Sequence, residues 1–374
     1  MSSAGIFAEF IGRKVNKVRW KPDDLMASTM FVTGSWDNEE DNVLELWGLT
    51  SENENSTKDF PPKLLDCIQQ DGNITQIRFL DNKFVAVSTD NGTVKVYRII
   101  GENEDSNIHF NEIIAWENLH TFGKGQRCSC KDLAVCNYSL ATIGDDYKLN
   151  VISLNTKQIH QVLVITFDKY FHMILMFDYL EGISSSPLTC ICFLTETEVL
   201  CCNSLSQMKL WDLRVAKSSI TSNINNFTQT QVPITCVAQH PSQKHFIFTG
   251  SEEGDVGVWD MRTNSLLTTM SSGDASSLTE IAFHPLEPDH LFTCSFGGRL
   301  LQWSSKKSYM CRIDPGDMEY SNFWVNTDKV KTRLSINDVI QPIYMPINSL
   351  DIQKQQLICG ADNEAVYFQR NLKL

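Results

Sequence analysis

One unit recurs along this chain of 374 residues: an apolar run, a reversal rich in small or acidic residues, and a second apolar run that closes on a bulky side chain. It is first met as "TGSWDNEEDNVLELW" (residues 33–47), preceded by Met30, Phe31 and Val32. At a period of two, Val43, Glu45 and Trp47 share one face and Leu44 and Leu46 the other, so both faces carry apolar residues and the hairpin belongs inside a multi-sheet core. Further copies are "VAVSTDNGTVKVY" ending on Tyr97, "LATIGDDYKLNVI" on Ile152, "VLCCNSLSQMKLW" on Trp211, "IFTGSEEGDVGVW" on Trp259 and "LFTCSFGGRLLQW" on Trp303. A seventh, "LICGADNEAVYF", ends near Phe368, although strict register puts Gln369 in the closing slot. A period of tens of residues changes the whole fold assignment, because each unit must bury its faces against its neighbours.

Each copy follows another apolar alternation, such as "KVRW", "ITQIRFL", "KDLAV" or "LTEIAFH", and weaker runs at 63–68 and 265–270 supply a fourth strand. Together with "KLWDLR" (209–214), "TGSEEGDVGVWDMR" (249–262) and the His-Pro pairs at His240 and His284, these units resemble WD repeats, the four-stranded blades of a β-propeller. Anchor intervals of 48 residues (211 to 259) and 44 (259 to 303) sit close to that repeat, whereas the Gly-His dipeptide usual at its start is absent throughout. The expected fold is all-β: a seven-bladed WD-repeat β-propeller, a single domain over 1–374, closed by an N-terminal strand in "GIFAEFIG" (5–12) that completes the last blade and leaves no open edge. The closing aromatics, Trp47, Tyr97, Trp211, Trp259 and Trp303, are expected to be structural blade anchors, each burying roughly 150–250 Å² between blades.

Composition narrows the function. A hydrophobic content of 42% with 21% charged residues is ordinary for a globular chain. A net charge of −13 argues against unaided nucleic-acid binding, which needs concentrated Lys and Arg. The basic stretches "KKSYMCR" (306–312) and "KVKTR" (329–333) are short and read as solvated loops. The twelve cysteines lie mainly in strands, and no secretion signal opens the chain, so free thiols in a reducing compartment, cytosol or nucleus, are expected. "CSCKDLAVC" (128–136) lacks the second knuckle or His pair of a structural zinc site, so no metal is expected. No Gly-rich phosphate loop, H-E-x-x-H pair or G-x-S-x-G elbow occurs; "GKG" (123–125) lacks P-loop spacing, and "GDD" (144–146) reads as a turn in which Asp145 caps backbone amides. Neither catalysis nor a cofactor is expected.

Interaction surfaces are then the remaining source of function. One rim of a propeller carries the turns between second and third strands together with the blade connections, which places "SWDNEEDN" there and "GLTSENENSTKDFPPK" (48–63) on the opposite rim. Both are acidic and read first as solvating loops. The sharper reading makes Trp36, beside Asp37, Glu39 and Glu40, a partner-binding anchor. "VLVITFDKYFHMILMFDYL" (162–180) is an atypical apolar insertion: Asp168, Lys169, His172 and Asp178 interrupt it, so it is too broken for a membrane span. It is expected in a blade connection, as an interface or as a translated intron or gene-model error. The long connection at 304–346 is a second candidate partner surface or a loosely ordered loop.

"TGSWDNEE" (33–40), "HPLEPDHLFTCSFGGRLLQW" (284–303) and "INSLDI" with "LICGADNEAVY" (347–367) resemble the WD-repeat nucleoporins, with 162–180 as a departure and the third blade only weakly WD-like. That resemblance implies a non-catalytic scaffold subunit of the Y-shaped outer-ring complex of the nuclear pore. It would dock on an α-solenoid nucleoporin, support nucleocytoplasmic transport of protein and mRNA, and associate with kinetochores in mitosis. The rival reading is a substrate receptor of a ubiquitin ligase or a histone-peptide reader, using the mouth of the central channel. A continuous collar would mark it, yet the corresponding turn positions, Trp36, Asp90, Asp145, Ser204, Glu252, Phe296 and Asp362, are mixed.

Overall fold

The computed structural model describes residues 6–23, 27–37, 41–49, 61–101, 107–122, 125–154, 177–180, 186–214, 220–225, 232–305, 324, 334–370, 372 and 374. They form seven four-stranded antiparallel sheets. From the channel outward, blade 1 holds Val15–Trp20, Met30–Ser35, Val43–Gly48 and Lys63–Gln69. Blade 2 holds Ile74–Phe79, Phe84–Thr89, Val94–Ile100 and His109–Trp116, and blade 3 Cys130–Cys136, Ser139–Gly144, Leu149–Ser153 and Phe177–Leu180. Blade 4 comprises Leu188–Thr195, Glu198–Asn203, Gln207–Asp212 and Ile220–Asn225; blade 5 Ile234–Gln239, Phe246–Ser251, Asp255–Asp260 and Ser265–Ser271. Blade 6 comprises Leu278–Phe283, His290–Ser295, Leu300–Ser305 and Leu334–Asp338. Blade 7 takes Ile347–Gln353, Gln356–Ala361 and Ala365–Gln369 from the C-terminal end and its outermost strand, Ile6–Phe10, from the N-terminal end.

That closure is the expected one, in the register Ile6↔Gln369 to Phe10↔Ala365, and Phe7 stacks on Phe368 with ring centroids 5.5 Å apart. Phe368 therefore serves the closing seam, while Gln369, opposite Leu357, fills the anchor slot.

Two backbone devices repeat in all seven blades. Each innermost strand carries a β-bulge one residue from its start, and the extra residue is polar in every case. At four junctions its side chain reaches the next blade: Asn16 donates to the Ile74 carbonyl, Thr235 to Leu278, Thr279 to Ile347, and Asn348 to Val15 across the closing seam. In the second device, the amides of Trp36, Asp90, Asp145, Ser204, Glu252, Phe296 and Asp362 each donate to the carbonyl just before their blade's innermost strand. The bulge bends that strand, and the amide bond ties the second hairpin to it.

The anchors occupy equivalent places but are held differently. Trp47, Trp259 and Trp303 are buried, and each indole N–H donates to a threonine on the neighbouring strand: Thr33 at 3.0 Å, Thr249 at 3.0 Å and Thr293 at 2.9 Å. In blade 4 the threonine's place belongs to Cys201, and the buried Trp211 Nε1 has no hydrogen-bond partner. Tyr97 is fully buried and pairs its hydroxyl with Gln70, whereas Ile152 fills the slot in blade 3 with hydrocarbon alone.

Two expectations are corrected. The segment 162–180 is not simply a blade connection: Phe177–Leu180 pairs with Leu149–Ser153 as the outermost strand of blade 3, because the third strand's outer edge needs a hydrogen-bonding partner. Residues 162–176 lie outside the described residues. Nor is 304–346 only a connection, since Leu334–Asp338 completes blade 6. Within it Trp324 is 1% exposed; it meets Phe248 edge-on at 5.4 Å and donates its indole N–H to the Pro288 carbonyl. This connection thus supplies a core residue to the gap between blades 5 and 6. The basic stretches 306–312 and 329–333 lie outside the described residues.

An unpartnered buried donor costs about 1–3 kcal/mol. Cys201→Thr should therefore stabilise the chain by about 1 kcal/mol through the missing acceptor, whereas Thr249→Val should destabilise it comparably. Denaturant midpoints measured side by side check both signs. Trp324→Ala should cost about 3–5 kcal/mol, read as a lowered denaturant midpoint.

Candidate functional site

The two places where this fold can meet a partner are the channel and the rims. The channel is lined by the innermost strands, which pack around the axis with the seventh closing on the first. Its centre is occupied. Arg19, on the innermost strand of blade 1, is 4% exposed and reaches across the ring to Glu280 of blade 6. One guanidinium nitrogen, Nη1, also donates to Ser349 Oγ (2.8 Å) and the Leu350 carbonyl of blade 7; Nη2 donates to Gln76 Oε1 (2.8 Å) and Nε to the Ile77 carbonyl of blade 2. Glu280 in turn accepts from Ser349 Oγ and the Leu350 amide. Gln76 passes the network to Asp132 of blade 3, which accepts the Ile191 amide of blade 4. Five donors of a planar fork thus meet fixed acceptors from three other blades, a geometry only arginine supplies.

Burial alone would push the Glu280 carboxyl up, but the Arg19 guanidinium, backed by Lys17 and Arg78, outweighs it and holds the group down at about 2. On the channel wall, burial pushes the thiols of Cys190 and Cys236 up, so these sulfurs are poor nucleophiles and behave as small apolar residues. Every cysteine among the described residues is a free thiol. A cavity of about 90 Å³ remains in the channel, lined by mixed charges including Lys17, Lys131, Asp132 and Glu280.

A second polar cluster has the outline of a catalytic triad. His120 Nδ1 lies 2.8 Å from Asp146 Oδ1, and its Nε2 lies 2.9 Å from Thr142 Oγ1. Both His120 and Thr142 are fully buried, so no substrate reaches the hydroxyl. The cluster instead ties the connection entering blade 3 to its second hairpin, and Asp146 also accepts the amides of Thr121 and Lys148. The turn cap expected of Asp145 is therefore Asp146; Asp145 faces Lys131 at 3.2 Å. His120 follows Leu119 rather than a glycine, so it carries no Gly-His dipeptide although it is buried between Asp146 and Thr142. His240 and His284 cap their turns, each Nδ1 accepting the amide three residues on.

The rim of second-hairpin turns holds the expected partner-binding residues. Trp36 is half-buried and its indole N–H donates to Asp362 Oδ1 of blade 7 at 2.8 Å. Asp37 is exposed, pairs with Lys14, and takes the Asn73 side chain on its amide. Glu39 and Glu40 lie outside the described residues. The seven turn positions do not form one collar. Asp90 holds Asn73, Asp145 faces Lys131, and Asp362 holds both Trp36 and Asn348. Phe296 and Glu252 remain exposed. Six of these turns place a left-handed residue two positions further on: Gly92, Tyr147, Ser206, Gly254, Gly298 and Glu364. Among the described residues, no group of three or more His, Cys, Asp or Glu is arranged to hold a metal, and no helix is long and apolar enough to cross a membrane.

Seven four-stranded sheets closed into a ring, with these anchors, make the chain a WD-repeat β-propeller, and residues 222–260 match the family described as "WD domain, G-beta repeat". Over nearly its whole length it is similar to one such protein: it is 29% identical to nucleoporin Nup43 of Homo sapiens, covering 98% of this chain and 99% of the relative, and 29% identical to that of Mus musculus over 98% and 99%. The nuclear pore complex protein nup43 of Dictyostelium discoideum is 27% identical over 47% of this chain and 37% of the relative. The likeness is to a WD-repeat nucleoporin.

Glu280→Gln should cost about 3–5 kcal/mol at neutral pH, since it leaves Arg19 buried without its counter-charge. The carboxylate's folded value is depressed, so its contribution is complete above the ordinary value of 4.5 and is lost as pH falls toward about 2. Urea midpoints across that window should fall more steeply for the wild type than for Glu280→Gln.

Proposed function

We propose that this protein is a non-catalytic scaffold subunit of the nuclear pore, a single seven-bladed platform that docks onto another nucleoporin through its rim. The observation that carries this reading is end-to-end similarity, 98% of this chain against 99% of the human relative, to a protein whose name is that of a nucleoporin. A place in the Y-shaped outer-ring complex, an α-solenoid partner, a role in transport of protein and mRNA, and kinetochore association in mitosis follow from the same resemblance. The occupied channel supports a rim-based platform, because a peptide entering deeply would have to displace Arg19 from fixed acceptors in several blades.

Within this reading Trp36, Asp37, Glu39 and Glu40 are proposed as partner-binding. The bond from Trp36 to Asp362 adds a structural share to its role, so replacing it should cost some stability as well. Isolation of the tagged full-length chain at physiological salt should recover outer-ring nucleoporins in stoichiometric amounts, with a nuclear-rim signal by imaging. Ligase subunits or chromatin proteins with diffuse signal would overturn the proposal. Trp36→Phe should retain the partner and lose only the hydrogen bond, whereas Trp36→Ala should lose partner recovery; equal recovery by both would remove Trp36 from the interface.

A further inference from the structure

We infer that the rim over blades 6 and 7 is a docking surface for a nucleoporin segment that sets apolar side chains beside Lys or Arg; its occupant rests on the function proposed above. Three large apolar side chains stand exposed there: Phe296 at 56%, Tyr344 at 87% and Met345 at 41%. Phe296 belongs to the second-hairpin turn of blade 6, and Tyr344 and Met345 to the connection into blade 7.

Their backbones are locked together. The Ile343 amide donates to the Gly298 carbonyl at 3.1 Å, and a Cβ on Gly298 would lie 2.6 Å from the Met345 carbonyl oxygen. Only glycine permits that approach. Tyr344 itself sits at φ 57°, a left-handed conformation that disfavours a bulky aromatic, yet its ring is turned to solvent. Strain held in place by surrounding structure, with an exposed aromatic as its product, points to use of that side chain. A rigid base also lowers the ordering cost of binding.

The border of the patch is acidic. Asp274 lies beside the turn, its Oδ2 accepting from Ser295 Oγ; the Asp362 amide is bonded to the Pro346 carbonyl next to Met345, while its carboxylate is held by Trp36 and Asn348. Glu364, two residues on, is exposed and left-handed as well. Of the nearby cations, Arg299 is already held by Asp338 through two nitrogens, and Lys14, which also feels Asp362 and Glu364, is paired with Asp37. A patch of aromatic and thioether surface with the Asp274 carboxylate at its edge and Glu364 exposed on the same rim selects a partner with the opposite charge.

The test compares tagged full-length chains isolated from cells: wild type, Phe296→Ala with Tyr344→Ala, Glu364→Lys, and Leu286→Ala on the opposite rim, where Leu286 is 70% exposed. The double variant should lose nucleoporin recovery by roughly tenfold or more, the charge variant should weaken it, and Leu286→Ala should leave it unchanged. A benzophenone amino acid at position 344 should crosslink to a Lys- or Arg-bearing segment of the recovered nucleoporin. If the double variant fails to fold, the charge variant and the crosslink decide. Undiminished recovery in the variants, or no crosslink at 344, overturns the docking surface alone. Absence of nucleoporins from the wild-type sample overturns the functional reading instead, and the occupant named here with it.

Discussion

Closure of the ring is the constraint on which everything else in this structure depends. Seven sheets stacked around an axis are stable only if the last packs on the first, and no peptide bond makes that joint. Here the joint is made three ways. Ile6–Phe10 pairs with Ala365–Gln369, so unravelling either chain end opens a blade edge. Side chains of blade 7 bind the backbone of blade 1: Asn348 at Val15, Ser349 at Val18 and Asp351 at Trp20. Gly360 allows Val15 to pack so close that an added Cβ would lie 2.3 Å from Val15 Cγ1. The Arg19 to Glu280 pair then spans the seam at the axis, joining blade 1 to blade 6 past blade 7.

The blades were legible in the sequence because their signal is local. Alternation at a period of two, a turn, and a closing aromatic all fall within about fifteen residues, and repetition multiplies a weak pattern into a firm one. What escaped is what depends on distant partners. Nothing near Arg19 distinguishes it from a solvated arginine, since its acceptors lie in blades 2, 6 and 7. Trp324 sits in a stretch without alternation, and its burial is decided by Phe248 and Phe283. His120 was hidden by the residue before it, and the choice between Asp145 and Asp146 turns on which carboxylate faces the incoming connection. The departure in blade 4 was visible as letters, "LCCN" against "FTGS", but its consequence for Trp211 required the register.

The same internal economy limits where partners can bind. Several charges that a sequence reading would offer to a ligand are already committed within the fold: Asp132 holds Gln76 and the Ile191 amide, Asp146 holds His120, and Asp362 holds Trp36 and Asn348. A peptide entering the channel would meet groups whose hydrogen bonds it must replace before gaining any of its own. The outer parts of the rim face no such demand. Binding there adds contacts without breaking the network that keeps the ring closed.

The turns of that rim show where side-chain identity matters beyond the fold. Their repeated left-handed position is one that glycine occupies without a Cβ penalty, and Gly92, Gly254 and Gly298 do so. Tyr147, Ser206 and Glu364 hold the same position with a side chain attached. Ser206 has a structural reason, because its hydroxyl donates to the Val232 carbonyl and fixes the connection into blade 5. The Tyr147 ring and the Glu364 carboxylate project from the rim instead. A conformational cost borne where glycine would serve the fold better is a reason to look for the use of the side chain that bears it. On this rim that reason applies to Glu364, which stands exposed on the same rim as Phe296, Tyr344 and Met345.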